Sequence, residues 1–125
     1  MSEQINYYSN KLQYEIDSWD LSVSLETNEK VIVIDARSSD AYALSHIPNS
    51  INIPHKTMNE ETTKELDKSH LYITYCDGIG CNASTKGALN MAKLGFNVKE
   101  LIGGLDWWIR DGYALEGINS RVKTN

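Results

Sequence analysis

The sequence has none of the features that would assign the chain to a membrane, a secretory route or a nucleic acid. No stretch approaches the ~18 apolar residues that a membrane-spanning helix needs. Residues 1–10 carry acidic and amide side chains where a secretory signal would have a basic start and an apolar run. The net charge of −5 and a pI near 5.1 disfavour nucleic acids and anionic membranes, which attract clustered Lys and Arg. We therefore expect a cytoplasmic protein with no membrane or nucleic acid as partner.

Cysteine is scarce, since the chain has only Cys76 and Cys81, five positions apart. This closeness excludes a disulfide between distant parts of the chain. The spacing is wrong for a pair of zinc ligands, and no second pair of Cys or His accompanies it, so no metal site is predicted. Reactive thiol chemistry is therefore the better hypothesis for these two residues.

Internal repeats and low-complexity segments are also absent, and 125 residues with 41% hydrophobic and 23% charged residues are typical of one soluble domain. We assign residues 13–117 to that domain. Residues 1–12 are predicted to form an N-terminal extension, expected to be helical, and residues 118–125 a C-terminal tail.

The secondary structure is predicted from apolar runs and from signals for helix ends. The run of β-branched residues at 31–34 is typical of a central parallel strand, apolar on both faces. The other strand candidates are residues 71–75 and, more weakly, 14–16, 50–53 and 98–102. Helices are predicted at 18–27 and at 82–94, where Gly95 ends the second helix.

Alternation of these strands and helices predicts an α/β fold with three layers, in which helices flank a five-stranded, mostly parallel sheet. In the second helix, Ala88, Leu89, Met91 and Ala92 are expected to form the stripe that contacts the sheet.

The segment that joins the strand 71–75 to the helix after it carries the candidate chemistry. Ligands of such sheets bind beyond the carboxyl ends of the strands, and Cys76 follows the strand immediately. Gly78 and Gly80 allow the backbone to fold into a tight cradle of inward-pointing amides that favours an anion. The cradle is predicted to consist of Asp77, Gly78, Ile79, Gly80, Cys81 and Asn82. Helix N-terminal amides favour the thiolate, so Cys76 is a candidate nucleophile, although a buried small hydrophobe remains the alternative.

Three ordered groups of residues carry a family resemblance. The first is Val33-Ile34-Asp35-Ala36-Arg37, Tyr42, His46-Ile47-Pro48 and Ile51-Asn52-Ile53-Pro54. The second is Tyr75-Cys76 with its glycine-containing loop, and the third is Leu94-Gly95-Phe96, Val98, Leu101, Gly103-Gly104, Trp107-Trp108 and Gly112-Tyr113. Together, over about residues 18–117, they resemble the signatures of the rhodanese-like family.

The resemblance implies a sulfurtransferase. Cys76 would attack the sulfane sulfur of a donor, hold it as a cysteine persulfide and pass it to a thiol or cyanide acceptor, while loop amides stabilise the anions. The implied partners are a small-molecule or protein-bound persulfide donor and a thiol acceptor, and no cofactor is needed. A noncatalytic rhodanese-like module, which binds a partner or senses redox state through Cys76 and Cys81, is the alternative.

Two positions of the loop depart from the family pattern. Many rhodanese-like loops have Arg or Lys at or near the sixth position, where this chain has Cys81, and the second position is the acidic Asp77. A loop with one carboxylate and no cation should bind the doubly charged thiosulfate poorly, so weak thiosulfate activity and persulfide donors are predicted. Cys81 is either a resolving thiol for Cys76 or a small residue that fills space at the helix start. Asn82 stands where cysteine phosphatases have their arginine, which argues against phosphatase activity.

Four residues outside the loop are assigned supporting roles. Asp35 and Arg37 are expected at the same edge of the sheet, where Arg37 pairs with a nearby carboxylate, Asp40 being one candidate. His46 is expected to make a structural hydrogen bond rather than act as an acid or base. Of the two adjacent tryptophans, Trp107 is the one predicted to pack in the core.

Overall fold

The computed structural model describes residues 2–123; residues 1, 124 and 125, which fall in the predicted extension and tail, lie outside the described residues. The helices are α1 (Ser2–Tyr14), α2 (Ser18–Thr27), α3 (Ser39–Leu44), α4 (Ala83–Lys93) and α5 (Gly104–Arg110). The strands are β1 (Glu15–Ile16), β2 (Val31–Asp35), β3 (Ile51–Asn52), β4 (Leu71–Tyr75) and β5 (Asn97–Leu101). A short 3-10 helix, His55–Thr57, follows β3.

The five strands form one parallel sheet in the order β1-β5-β4-β2-β3. The predicted α/β sheet flanked by helices is confirmed. The apolar strands β2 and β4 lie side by side near its centre, in a register that pairs Val31 with Leu71 and Asp35 with Tyr75. Both therefore end at the same level, and the residues that follow them meet at one edge.

The alternation of side chains along the strands divides the core into two clusters, one on each face of the sheet. Val33 of β2 and Ile73 of β4 belong to the cluster that includes Leu21 of α2 and Trp108 of α5. Ile34 and Tyr72 belong to the cluster that includes Met91 of α4. Helices therefore cover both faces, as a sheet with continuous apolar strands requires.

Helix α4 buries a different face from the one predicted. Its buried residues are Ser84, Gly87 and Met91, spaced three and four apart, whereas Leu89 is more than half exposed. The expected stripe is therefore wrong for Leu89 and Ala92, which are exposed, whereas Met91 is buried and Ala88 half-buried. A side chain at Gly87 would come within 3.1 Å of Ala36, so a glycine lets the helix approach the end of β2 closely.

The two adjacent tryptophans are also placed in the reverse of the predicted order. Trp108 is buried in the core, and its indole N–H donates to the carbonyl of Ala114 at 2.9 Å. Trp107 is exposed, and the guanidinium of Arg110 lies over its ring. The helical turn that starts at Gly104 directs the second tryptophan, not the first, toward the sheet.

The segments on either side of the predicted domain differ in how they contact it. Helix α1 covers the predicted extension and contains no buried residue. The start of the predicted tail is hydrogen-bonded: the amides of Ile118 and Asn119 donate to the carbonyls of Ala43 and Leu44. The division into extension, domain and tail at residues 12 and 117 stays a prediction.

Candidate active site

The candidate nucleophile is the first residue of the loop between β4 and α4. Cys76 follows Tyr75, the last residue of β4, and α4 begins at Ala83. On the neighbouring strand, the amide of Ala36 donates to the carbonyl of Tyr75 at 3.1 Å, which continues the β2–β4 pairing one step further. Cys76, Asp35 and Arg37 are therefore brought to one edge of the sheet, as the sequence predicts.

Asp35, Arg37 and Tyr75 form a buried polar network at this edge, which we call the platform. The Arg37 guanidinium binds the Asp35 carboxylate through two nitrogens, with Nη2 to Oδ2 at 2.7 Å and Nε to Oδ1 at 3.0 Å. The Tyr75 hydroxyl donates to Asp35 Oδ2 at 2.7 Å and accepts from the amide of Ile47 at 3.2 Å. Asp35 is 0% and Arg37 8% exposed. The bidentate pairing compensates charges that would be costly to bury alone.

The platform holds fixed ionisation states. Burial lowers the pKa of the Arg37 guanidinium, but the hydrogen bonds and charge of Asp35 outweigh burial, so this pKa lies above its ordinary value. Burial, followed by the charge and hydrogen bond of Asp35, raises the pKa of the Tyr75 phenol well above its ordinary value. Arg37 therefore remains a cation and Tyr75 a neutral donor throughout the physiological range.

Arg37 also connects the platform to the loop. Its Nη1 lies 3.0 Å from Oδ1 of Asp77, whose side chain is 73% exposed. Its Nη2 donates to the carbonyl of Ser45 at 2.7 Å. The partners of Arg37 are thus Asp35 and Asp77, and the suggested pairing with Asp40 is wrong. The loop contains no Lys or Arg, but Arg37, which follows the neighbouring strand β2, pairs with the loop carboxylate of Asp77.

The start of α5 fixes the first two residues of the loop. The amide of Leu105 donates to the carbonyl of Cys76 at 2.9 Å, and that of Asp106 donates to the carbonyl of Asp77 at 2.8 Å. Gly104 adopts a φ of +58°, and a Cβ there would lie 2.5 Å from the Cys76 carbonyl oxygen. Only glycine permits this approach of two backbones.

The loop is closed by a disulfide between Cys76 and Cys81, with their Cα atoms 6.1 Å apart. Cys76 is 2% exposed in this form. In this disulfide-bonded state, Cys81 and the elements packed around Cys76 cover its sulfur. The sequence separation of five residues had already suggested that Cys81 could reach Cys76.

The amides of the loop differ in whether they have a protein partner. The amide of Cys81 donates to the carbonyl of Gly78 at 3.1 Å, so it is used within a turn of the loop. Within residues 2–123, no protein acceptor is found for the amides of five loop residues: Asp77, Gly78, Ile79, Gly80 and Asn82. The role of these amides as a cradle for an anion stays a prediction.

A pocket of about 400 Å³ adjoins the loop. Its walls include Gly78 and Cys81 on one side and Thr85, Glu100 and Gly103 on the other. The Glu100 carboxylate accepts from the Thr85 hydroxyl at 2.6 Å, which orients it at the start of α4. The pocket therefore has acidic character and is unsuited to a dianion.

Two further predictions concern the surroundings of the loop. Nδ1 of His46 lies 2.7 Å from the carbonyl of Tyr42, and the two rings stack, in line with the expected structural role. The ligand atoms of Cys76, Asp77 and Cys81 lie within 4.8 Å of one another. The two sulfurs are bonded to each other and Asp77 is paired with Arg37, and the expectation that the chain has no metal site stays a prediction.

An α/β domain whose central strand leads into a cysteine-headed loop, backed by a buried Asp–Arg pair, defines the class of the molecule. The profile of the family described as the rhodanese-like domain matches residues 20–111. The chain belongs to this family.

Solved structures with the same fold support this assignment. The crystal structure of the BH2092 protein from Bacillus halodurans is 45% identical, with a TM-score of 0.91, and covers 95% of this chain and 88% of that one. The solution structure of a rhodanese-like domain from an Anabaena protein is 27% identical, with a TM-score of 0.75, and covers 89% of this chain and 85% of that one.

Two curated relatives are named as sulfurtransferases. The adenylyltransferase and sulfurtransferase uba4 of Ogataea parapolymorpha is 30% identical over 104 residues, which cover 80% of this chain and 26% of that protein. The tRNA sulfurtransferase of Thermoplasma acidophilum is 38% identical over 79 residues, which cover 57% of this chain and 15% of that protein. The chain thus spans about a quarter or less of the length of these relatives.

The comparisons leave the predictions on location and partners open. Within residues 2–123, no helix has the length and apolar content needed to cross a bilayer. One relative is named for tRNA, so the expectation that this chain has no nucleic-acid partner stays a prediction. The cytoplasmic location stays a prediction as well.

Proposed function

We propose that the chain is a sulfurtransferase in which reduced Cys76 takes a sulfane sulfur from a donor and carries it as a persulfide to a thiol acceptor. The observation that carries this proposal is the position of Cys76 in a chain of this family. Cys76 heads a loop in which the amides of Asp77, Gly78, Ile79, Gly80 and Asn82 have no protein acceptor among residues 2–123. Such amides stabilise both a thiolate and a persulfide anion. The sulfurtransferase names of the two curated relatives are consistent with this activity.

The charges around the loop favour particular donors. Arg37 lies between two carboxylates, Asp35 and Asp77, so this group of three carries a net charge of −1. Glu100 adds a further carboxylate at the adjoining pocket. A dianion such as thiosulfate is repelled by this arrangement, whereas a thiol persulfide presents less negative charge at its sulfane end. We therefore propose small-molecule or protein-bound persulfides as donors and weak use of thiosulfate.

The proposal is tested by intact mass spectrometry on reduced protein. The chain is treated with a dithiol, freed of reductant without air, and incubated with glutathione persulfide or with thiosulfate. Cys81→Ser is expected to gain the mass of one sulfur from the persulfide and much less from thiosulfate, and peptide mapping is expected to locate it on Cys76. The matched double variant Cys76→Ser/Cys81→Ser is expected to gain none. Absence of added sulfur on Cys76 with every donor would reject the proposal.

A redox-sensing module without transfer activity is the second candidate, because the structure contains the Cys76–Cys81 disulfide. In such a module the two thiols would be oxidised together and would carry no sulfur. The same mass measurement separates the two candidates. A disulfide that forms with peroxide, in a protein that never gains sulfur when reduced, favours the sensor.

A further inference from the structure

We infer that Cys81 is the resolving nucleophile of the Cys76 persulfide, so that the carried sulfur can leave as hydrosulfide while the loop closes into the disulfide. This inference rests on the proposed function, because it requires a persulfide on Cys76. It adds a second outcome for the sulfur, besides transfer to an external thiol.

The separation of the two cysteines suits this reaction. Their Cα atoms lie 6.1 Å apart, within the range of about 4.4–6.8 Å that disulfides span. Cys76 is fixed through the bond of its carbonyl to Leu105, and Cys81 through the bond of its amide to Gly78. The disulfide therefore coexists with the backbone hydrogen bonds that hold both cysteines.

Cys81 lies directly before the start of a helix. Cys81 precedes Asn82, the N-cap of the 11-residue helix α4, and the Asn82 side chain makes no capping hydrogen bond. The first amides of a helix, together with its dipole, attract an anion, and the thiolate is the nucleophilic form of cysteine. A residue that only filled space at the start of α4 would not require a thiol next to Cys76.

A purely stabilising cross-link is a poor explanation of the disulfide. It encloses only four intervening residues, and closure of so short a loop contributes less stability than closure of a long one. Both ends of the loop are already held by β4 and α4, which belong to the sheet and its covering layer. The cross-link is therefore better explained by chemistry between the two sulfurs.

The reaction balances without an external oxidant. The Cys81 thiolate attacks Sγ of Cys76, the bond from this Sγ to the outer sulfur breaks, and the outer sulfur leaves with the electron pair and takes a proton from solvent. The sulfane sulfur is reduced to hydrosulfide, and the two cysteines are oxidised to the disulfide. A dithiol reductant then restores both thiols and is itself oxidised to a disulfide. Because Cys76 is 2% exposed in the closed form, each further sulfur requires this reduction first.

The experiment follows the sulfur after the donor is removed. Reduced protein is loaded with glutathione persulfide, freed of donor without air or reductant, and sampled for hydrosulfide, free thiols and intact mass. Wild type is expected to release hydrosulfide in step with loss of both thiols and formation of the Cys76–Cys81 disulfide. In Cys81→Ser the persulfide is expected to persist at least about tenfold longer, since an intramolecular nucleophile reacts at a high effective concentration.

Two further variants serve as controls for this experiment. Cys81→Ala repeats the test with a different replacement, and circular dichroism verifies that both variants are folded. The double variant Cys76→Ser/Cys81→Ser is expected to give neither bound sulfur nor hydrosulfide. The inference is overturned if wild type keeps its persulfide, or if both Cys81 variants release hydrosulfide at the wild-type rate. Mass before release distinguishes this from failure of the proposed function, in which Cys76 would carry no sulfur in any variant.

Discussion

The platform of Asp35, Arg37 and Tyr75 and the loop that begins at Cys76 lie side by side at one edge of the sheet but have opposite properties. Asp35 is 0% exposed and has a partner for each carboxylate oxygen, whereas Ile79 in the loop is 80% exposed. The platform consists of buried charged and polar groups that require partners. The loop consists of backbone in which several amides have no protein acceptor among residues 2–123. Structural support and candidate chemistry are therefore carried by different residues, the first by the platform and the second by the loop. Changes to the platform should cost stability, and changes to the loop should alter reactivity.

The largest effect is expected from Asp35→Asn. This change removes the charge that compensates the buried Arg37, and breaking such a pair costs about 3–5 kcal/mol. Urea-induced unfolding measures the loss in free energy of unfolding. The control is Asp40→Asn, an exposed neighbour that does not pair with Arg37, for which a change within about 0.5 kcal/mol is expected. Equal losses in the two variants would contradict the buried pair.

A smaller loss, about 2 kcal/mol or more, is expected from Gly104→Ala, which tests the junction of loop and α5. The φ of +58° is strained for alanine, and its Cβ would lie 2.5 Å from the carbonyl oxygen of Cys76. Thermal unfolding followed by circular dichroism provides the measurement. Gly80→Ala is the matched control, because a Cβ at that position meets nothing within 4 Å. A Gly104 variant as stable as this control would show that the contact is unimportant.

Tyr75→Phe is expected to cost about 1–2 kcal/mol, because it removes the hydroxyl that binds Asp35 and leaves the buried amide of Ile47 without its acceptor. Chemical denaturation is again the measurement. Tyr8→Phe, on the exposed helix α1, is the control and should change stability little.

The same variant gives a pH signature. Because the pKa of Tyr75 is raised in the folded chain, the contribution of the phenol to the free energy of unfolding is complete below pH 10, the ordinary pKa of tyrosine. As the pH rises beyond 10, the unfolded chain loses the proton and the folded one keeps it, so stability falls. Tyr75→Phe has no phenol at this position, so its stability does not fall for this reason. The stability gap between wild type and variant should therefore narrow above pH 10, and a constant gap would contradict burial of the phenol.

The smallest effect on stability is expected from Asp77→Asn in the loop. Its carboxylate is 73% exposed, and such partners contribute at most about 1 kcal/mol. Removal of the negative charge leaves Arg37 Nη1 free to attract an anion, so turnover of thiosulfate should rise roughly three- to tenfold. A cyanide-coupled thiosulfate assay at low salt measures this change. Asp111→Asn, at the far end of α5, should leave the rate unchanged, and an equal rise in both would point to net charge alone.

The sequence was sufficient for features that depend on neighbouring residues. The apolar runs identified β2 and β4, and the helix signal ended correctly at Gly95, whose φ of +92° accompanies bonds from Gly95 and Phe96 back to α4. The placement of Cys76 at the carboxyl edge followed from strand and helix order. Helix α3 was missed, although Ser38 caps it by accepting from the amide of Ala41 and could have signalled its start.

Features that depend on distant residues could not be predicted. Asp77 lies 40 positions from Arg37, and no local sequence pattern indicates that the guanidinium of Arg37, just after β2, would pair with the Asp77 carboxylate. The face that α4 buries depends on how closely it approaches Ala36, which only the packed structure determines. The burial of Cys76 depends on the disulfide and on α5, so the thiol's accessibility could not be inferred from the loop sequence alone.

The pairing frame of β2 and β4 has a consequence for the folding of this protein. Asp35 stands opposite Tyr75 in that frame. Because side chains alternate between the two faces of a strand, a slip of one residue would turn Tyr75 away from the carboxylate and send the whole strand's apolar set to the wrong side. A chain with such a misaligned ladder could retain helices and strands and still lack the platform. Assembly of the candidate site therefore depends on the alignment of these two strands.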